Sequence, residues 1–168
     1  MSKTSQRDLL RLSSRLGCLL NERGLSIATA ESCTGGLLSH ILTGVSGSSG
    51  YFIGGVVAYS NHIKEQFLGV SENTLIGFGA VSEQSAIEMA KGIAEKFNSS
   101  IGLSTTGIAG PSGGTPEKPV GLVWIGFHIN NETRAFECHF KGERNSIKAD
   151  AVQEILTRLL NILDTSDD

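Results

Sequence analysis

Four short polar segments of this 168-residue chain hold the residue types that could do chemistry. The first, Glu31-Ser32-Cys33-Thr34-Gly35-Gly36, lies between a β-prone run, Leu25 to Ala30, and a stretch in which Leu37, Leu38, Ile41 and Leu42 recur at helical spacing. A strand-to-helix turn lifts side chains off a sheet and gathers backbone N–H groups at one point, which suits a nucleophile with its oxyanion or a bound phosphate. Ser32 fits either task. Simpler readings stand beside these: Ser32 or Thr34 caps the next helix while the glycines allow a tight turn. Cys33 is a rival nucleophile, because a helix N-terminus lowers a thiol pKa, and is otherwise buried packing.

The second segment, Ala58-Tyr59-Ser60-Asn61-His62-Ile63-Lys64, directly follows a strand-like run, and strand ends are where open α/β sheets bind ligands. Tyr59 and Lys64 can therefore share a cleft with Ser32. A lysine activates a serine only when burial or a neighbouring cation keeps it neutral, since its ordinary pKa is about 10.4; otherwise Lys64 is a surface lysine. The third segment runs from Thr105-Thr106-Gly107-Ile108-Ala109-Gly110 through Gly114 to Lys118-Pro119-Val120-Gly121. Its glycines permit close backbone approach to a phosphate or planar ring, and its prolines at 111, 116 and 119 stiffen it. It fits neither the Walker A pattern nor GxGxxG, so its ligand is not named by known phosphate-loop rules. In the fourth, Phe140-Lys141-Gly142-Glu143-Arg144-Asn145-Ser146, Arg144 can clamp a phosphate or carboxylate beside a helix start, or simply be solvated. His40, His62, His128 and His139 have no metal-ligand spacing.

The elements that must position these segments follow from periodicity. Leu9, Leu12, Leu16 and Leu19 predict a first helix from Thr4 to Arg23, capped by Ser5 and ended by Gly24. Gly44 to Gly50 reads as a loop, Phe52 to Tyr59 as a buried strand, and Ile63 to Leu68 as a short helix. A helix is expected from Ser82 to about Phe97, then a strand from Ile101 to Thr106. Val120 to Ile129 and Thr133 to Phe140 read as two strands joined at Asn130-Asn131. A last helix spans about Ser146 to Leu163, with Asp164 to Asp168 as a frayed tail. Strands alternating with helices predict an α/β fold, a single-domain three-layer α/β/α sandwich, and the hairpin makes its sheet mixed.

Composition narrows the function classes. With 39% hydrophobic residues and a formal net charge of -3, the chain suits one core-bearing domain and lacks the basic excess of a nucleic-acid binder. No uninterrupted apolar run approaches the roughly 18 residues of a membrane span and the first residues are polar, so neither a membrane helix nor a signal peptide is expected, and a cytoplasmic location is. Cys18, Cys33 and Cys138 form no CxxC pair and are read as reduced thiols.

Ala30-Glu31-Ser32-Cys33-Thr34-Gly35-Gly36, Tyr59-Ser60-Asn61 with Lys64, Gly79-Ala80-Val81-Ser82, Gly107-Ile108-Ala109-Gly110-Pro111 with Gly113-Gly114, and Lys118-Pro119-Val120-Gly121 together resemble the CinA C-terminal domain family. The resemblance runs from about Leu25 to Leu163 and is to the stand-alone form of the family. It implies a nicotinamide mononucleotide deamidase, with Ser32 as nucleophile, Lys64 as its base, and Tyr59 and Arg144 in the catalytic set. It further implies that Glu31, Cys33, Thr34, Gly35, Gly36, Thr106, Gly107, Gly110 and Lys148 contact substrate. At position 148 the family often has arginine, so the charge is kept here and the planar fork is lost. The mechanism so implied is acyl transfer through Ser32, with the amides of Thr34 to Gly36 holding the oxyanion. No metal or organic cofactor is implied; the partners expected are a small nucleotide substrate and further copies of the chain. The alternatives are a catalytically silent nucleotide-binding relative and an amidase for another small pyridine or nucleotide amide.

Overall fold

The computed structural model describes residues 4–165. Five strands form one sheet in the order β2-β1-β3-β4-β5, with β1 Ile27–Glu31, β2 Phe52–Val57, β3 Ile101–Gly107, β4 Leu122–Ile129 and β5 Glu132–His139. β1 is parallel to β2 and β3, whereas β4 and β5 are antiparallel, so the sheet is mixed. Helices α1 (Gln6–Arg23), α2 (Leu37–Thr43) and α6 (Arg144–Asp164) cover one face, and α3 (Asn61–Leu68), α4 (Glu72–Gly77) and α5 (Glu83–Phe97) the other. This is the three-layer α/β/α sandwich that the alternation of elements predicts.

Period-two alternation in β1 divides the core. Ile27 belongs to the cluster under α1, α2 and α6, and Ala28 and Ala30 to the cluster under α5. Thr29 and Glu31 therefore face the α2 layer, which decides what Glu31 can touch. On the other face α5 lies close to the sheet because small residues meet: Ala86, Ala90 and Ala94 stand over Gly102 and Gly126, and Ser104 Oγ donates to the Ala86 carbonyl at 2.6 Å.

Caps fix the element ends. Ser5 closes α1 with a capping box, so the helix begins at Gln6 rather than at Thr4; the Thr4 hydroxyl instead donates to Asp150 of α6 at 2.7 Å. Asn130 and Asn131 both adopt positive φ (53° and 63°) in the β4–β5 turn, the backbone that asparagine tolerates. Two expectations need correction, for β2 and for the C-terminal tail, and α4 is a helix that periodicity does not predict. The run Phe52 to Tyr59 is not a buried strand: β2 has a single neighbour, ends at Val57, and leaves Ile53 and Val57 half exposed, because it forms the sheet edge. The stretch between Val70 and Ser82 contains α4, whose one buried residue, Thr74, leaves no apolar stripe to read. The tail expected to fray from Asp164 is helical there and pairs with Arg15 at 2.6 Å; Ser166 to Asp168 lie outside the described residues.

The topology brings four loops to one end of the sheet. The parallel strands β1, β2 and β3 all finish there, β4 starts there since Gly107 pairs with Val123, and β5 finishes there since Leu122 pairs with His139. The residues after each of these ends hold the polar segments of the sequence.

Candidate active site

Ser32 follows the last residue of β1, and its N–H extends the ladder to the Thr105 carbonyl at 2.9 Å. That bond holds the backbone of Ser32 against β3, while Ala58 N–H to Glu31 O at 2.8 Å draws in the end of β2. From β2 the chain enters α3, capped by Ser60 through the Ile63 N–H, and one helical turn later Lys64 reaches back beneath the strand end. Its Nζ lies 2.9 Å from Ser32 Oγ, 2.7 Å from the Ala58 carbonyl and 3.4 Å from the Tyr59 carbonyl.

Lys64 is only 1% exposed, and among the described residues no carboxylate stands at ion-pair distance from it. Burial lowers its pKa from the ordinary lysine value, with a small opposing effect from Cys33. A neutral amine has two donors and one lone pair. The ammonium can donate to all three oxygens, whereas in the neutral form the two carbonyls take the donors and the lone pair faces the Ser32 hydroxyl, so losing the proton leaves no partner unsatisfied. The arrangement is that of a base hydrogen-bonded to a nucleophile.

Cys33 is a poor rival to Ser32. Burial pushes its thiol up to about 12, so at neutral pH it carries its proton.

Ser32, Lys64, Cys33, Tyr59, Thr106, Gly107 and Arg144 line one cavity of about 240 Å³. Arg144 is the first residue of α6 and spans its mouth: its guanidinium donates to the Gly110 carbonyl and to the Tyr59 hydroxyl, both at 2.8 Å. Gly110 thus enters the site as an acceptor that orients Arg144. Thr106 is buried and donates to the Ala80 carbonyl at 2.6 Å, which fixes the Gly79–Ser82 segment as the far wall. Asn61, Ala80, Val81 and Ala109 also line the cavity and were absent from the residues singled out by type. Asn61 carried a readable signal, its place beside Tyr59 at the start of a helix.

Other expected contacts lie elsewhere. Glu31 and Thr34 are wholly buried beneath the turn, bonded to each other at 2.7 Å, because alternation in β1 turns Glu31 toward α2. Gly35 and Gly36, with φ of 61° and 95°, supply the left-handed backbone that the turn demands. Their N–H groups are spent on Ser32 O (3.2 Å) and Glu31 Oε2 (3.0 Å), so these amides are not open to an oxyanion. Lys148 Nζ lies 3.5 Å from where a Gly35 Cβ would stand, and Lys148 lines a separate cavity with His40 and Asn145. Arg144 lines the Ser32 cavity and Lys148, four residues later in α6, does not. Among the described residues no group of three or more His, Cys, Asp or Glu is placed to hold a metal ion.

The model of the CinA C-terminal domain matches residues 10–163. The chain belongs to the CinA C-terminal domain family. A CinA-like protein of Kosmotoga olearia is 55% identical over 130 residues, 77% of this chain and 32% of the relative. One of Salinibacter ruber is 49% identical over 150 residues, 88% of this chain and 36% of the relative. The chain thus spans about a third of the length of the curated relatives it matches. Among solved structures, a competence/damage inducible protein of Agrobacterium tumefaciens superposes with TM-score 0.89 at 39% identity, over 94% of this chain and 96% of that one. A CinA superfamily protein of Enterobacter cloacae does so with TM-score 0.89 at 35% identity, over 92% of each. The CinA fold here has no described helix long and apolar enough to cross a membrane.

Proposed function

We propose that the protein is an amidohydrolase that converts nicotinamide mononucleotide and water to nicotinic acid mononucleotide and ammonia. The observation that carries this reading is the 2.9 Å contact between Ser32 Oγ and the buried Lys64 Nζ, which has no counter-ion among the described residues. Ser32 Oγ attacks the carboxamide carbon while neutral Lys64 takes the hydroxyl proton, giving a tetrahedral oxyanion and a lysine ammonium. The C–N bond breaks, Lys64 returns the proton to the departing nitrogen, and ammonia leaves an acyl-serine. Water then attacks the acyl carbon, one of its protons passes through Lys64 to Ser32, and the acid product leaves, giving the other proton to solvent as it becomes the carboxylate.

The size of the cavity supports a pyridine carboxamide as the buried part of the substrate. At about 240 Å³ it falls below the roughly 300–1,000 Å³ that encloses drug-sized ligands, so the ribosyl phosphate extends past the rim, where Arg144 retains unused N–H donors. Ammonia release from nicotinamide mononucleotide, its riboside and free nicotinamide, by wild type and Ser32→Ala, tests the reading. Expected are preference for the mononucleotide and a loss of at least about 1,000-fold in kcat for the variant. Full activity of Ser32→Ala would overturn the covalent scheme, and preference for nicotinamide would overturn the substrate.

A further inference from the structure

Glu31 stands next to Ser32 in sequence yet never faces the cavity. Its carboxylate, 0% exposed, accepts five hydrogen bonds. Oε2 takes Thr34 Oγ1 at 2.7 Å and the N–H groups of Gly36 and Leu38 at 3.0 Å each. Oε1 takes the Ser39 N–H at 2.8 Å and the Ser39 hydroxyl at 2.6 Å. No cation pairs with it among the described residues; its partners are the orphan donors at the start of α2 and two hydroxyls. The carboxylate therefore ties the end of β1 to the first turn of α2, with the Ser32–Gly36 turn closed between them.

The same bonds settle which backbone amides remain. Ser32 N–H is taken by Thr105, Gly35 N–H by Ser32 O, and Gly36 N–H by Glu31, which leaves the N–H groups of Cys33 and Thr34, and Thr34 is buried beneath the turn and does not line the cavity. Cys33 is the residue after Ser32 that lines the cavity, and among the described residues its N–H meets no acceptor on another residue. In a strand-turn-helix nucleophile site, the amide after the nucleophile is the one aimed at the developing oxyanion.

We propose that Glu31 is a positioning residue for the amide-hydrolysis reaction. Its five hydrogen bonds lock the Ser32–Gly36 turn so that the Cys33 N–H, and not a glycine amide, receives the oxyanion. This rests on the deamidase reading above. Glu31 touches no substrate; it acts through the turn, and its effect is on the transition state and not on ground-state binding. A carboxylate is required because both oxygens accept: an amide at this position would aim an NH₂ at donors.

The test is Glu31→Gln, with deamidation of nicotinamide mononucleotide and of its thiocarboxamide analogue measured side by side. Expected is a fall in kcat on the order of 100-fold with KM within about threefold of wild type. The oxygen-over-sulfur preference of wild type, which an oxyanion donor imposes, is expected to narrow at the same time. A merely structural role would lower the amount of folded enzyme without changing that preference. If Glu31→Gln does not fold, Thr34→Val, which removes one arm of the carboxylate's hold, replaces it in the same assay with an expected kcat loss of roughly tenfold. Wild-type kcat and wild-type preference in the folded variant overturn the proposal. A wild type inert toward every amide of the panel overturns instead the reading on which it rests.

Discussion

Lys64 Nζ and Ser32 Oγ meet at 2.9 Å inside a pocket where the lysine has two carbonyl acceptors and, among the described residues, no carboxylate. The direction of its pKa shift follows from that environment, since desolvation penalises the ammonium. Catalysis needs the neutral amine, so kcat/KM is expected to rise with pH through an inflection below the ordinary 10.5 of lysine. Lys64→Arg keeps the donors but stays protonated throughout, and is expected to lose on the order of 100-fold or more at every pH. A pH–rate profile checks both. The opposite slope, activity falling as pH rises from neutrality, would rule out Lys64 as the base.

Linkage attaches a stability consequence to the same group. Between its lowered folded pKa and 10.5 the unfolded chain holds the Lys64 proton more firmly than the folded one, so this residue's contribution to stability improves as pH rises through that window. Denaturant melts of wild type and Lys64→Met across that range are expected to differ in slope, with the variant losing the alkaline gain.

Arg144 and Tyr59 join the start of α6 to the end of β2 at 2.8 Å, and Tyr59 is 60% exposed. Removing the hydroxyl by Tyr59→Phe therefore costs little stability, within about 0.5 kcal/mol, but frees the guanidinium to swing away from the cavity mouth. KM for the mononucleotide is expected to rise severalfold in Tyr59→Phe and more steeply in Arg144→Ala. In the double variant the Tyr59 change is expected to add almost nothing, a coupling of about 1 kcal/mol. Strict additivity of the two in kcat/KM would show that they act separately.

Much of this architecture is legible in residue order. Ser5 and Gly24 bound the first helix, Ser82 starts α5, and the Asn130-Asn131 pair closes a hairpin, because each is a local rule about caps or positive φ. The edge position of β2 is not local: an apolar run looks the same with one neighbour as with two. The pairing of Ser32 with Lys64 depends on burial, which a lysine's identity does not disclose. Glu31 shows the limit most plainly. Its motif marks it as part of the site, yet only the parity of β1 and the placement of α2 reveal that it faces inward, away from substrate. Lys148 likewise lines a different cavity from Arg144, which spacing within one helix does not disclose.

Cys33 and Cys18 are expected to part company under alkylation. Cys33 is buried with its thiol raised to about 12, whereas Cys18 is exposed on α1. Iodoacetamide at pH 8 followed by peptide mass mapping is expected to modify Cys18 in the folded protein and to leave Cys33 untouched until denaturant is added. Rapid labelling of native Cys33 would return it to consideration as the nucleophile. Below pH 9 both folded and unfolded chains keep the Cys33 proton; above it the unfolded chain releases it first. Stability from this thiol is then lost at about 1.4 kcal/mol per pH unit until about pH 12.

Gly126 on β4 tests whether the closeness of α5 to the sheet matters to stability or to chemistry. A Cβ there would stand 2.5 Å from the Ala86 carbonyl oxygen and still nearer to Ser104 Oγ, the hydroxyl that donates to that same carbonyl. Gly126→Ala must push α5 outward or break that bond, and overpacking of this kind costs typically 1–3 kcal/mol. For a chain of this length the Tm is expected to fall by roughly 4–8 °C if the cost is about 2 kcal/mol. Ser32 and Lys64 are held from β1, β3 and α3, not from β4, so KM and kcat below the melting range are expected to stay within about threefold of wild type. Loss of activity without loss of stability would mean that the α5 layer transmits to the catalytic pair, through the Ala80 carbonyl that Thr106 grips ahead of α5.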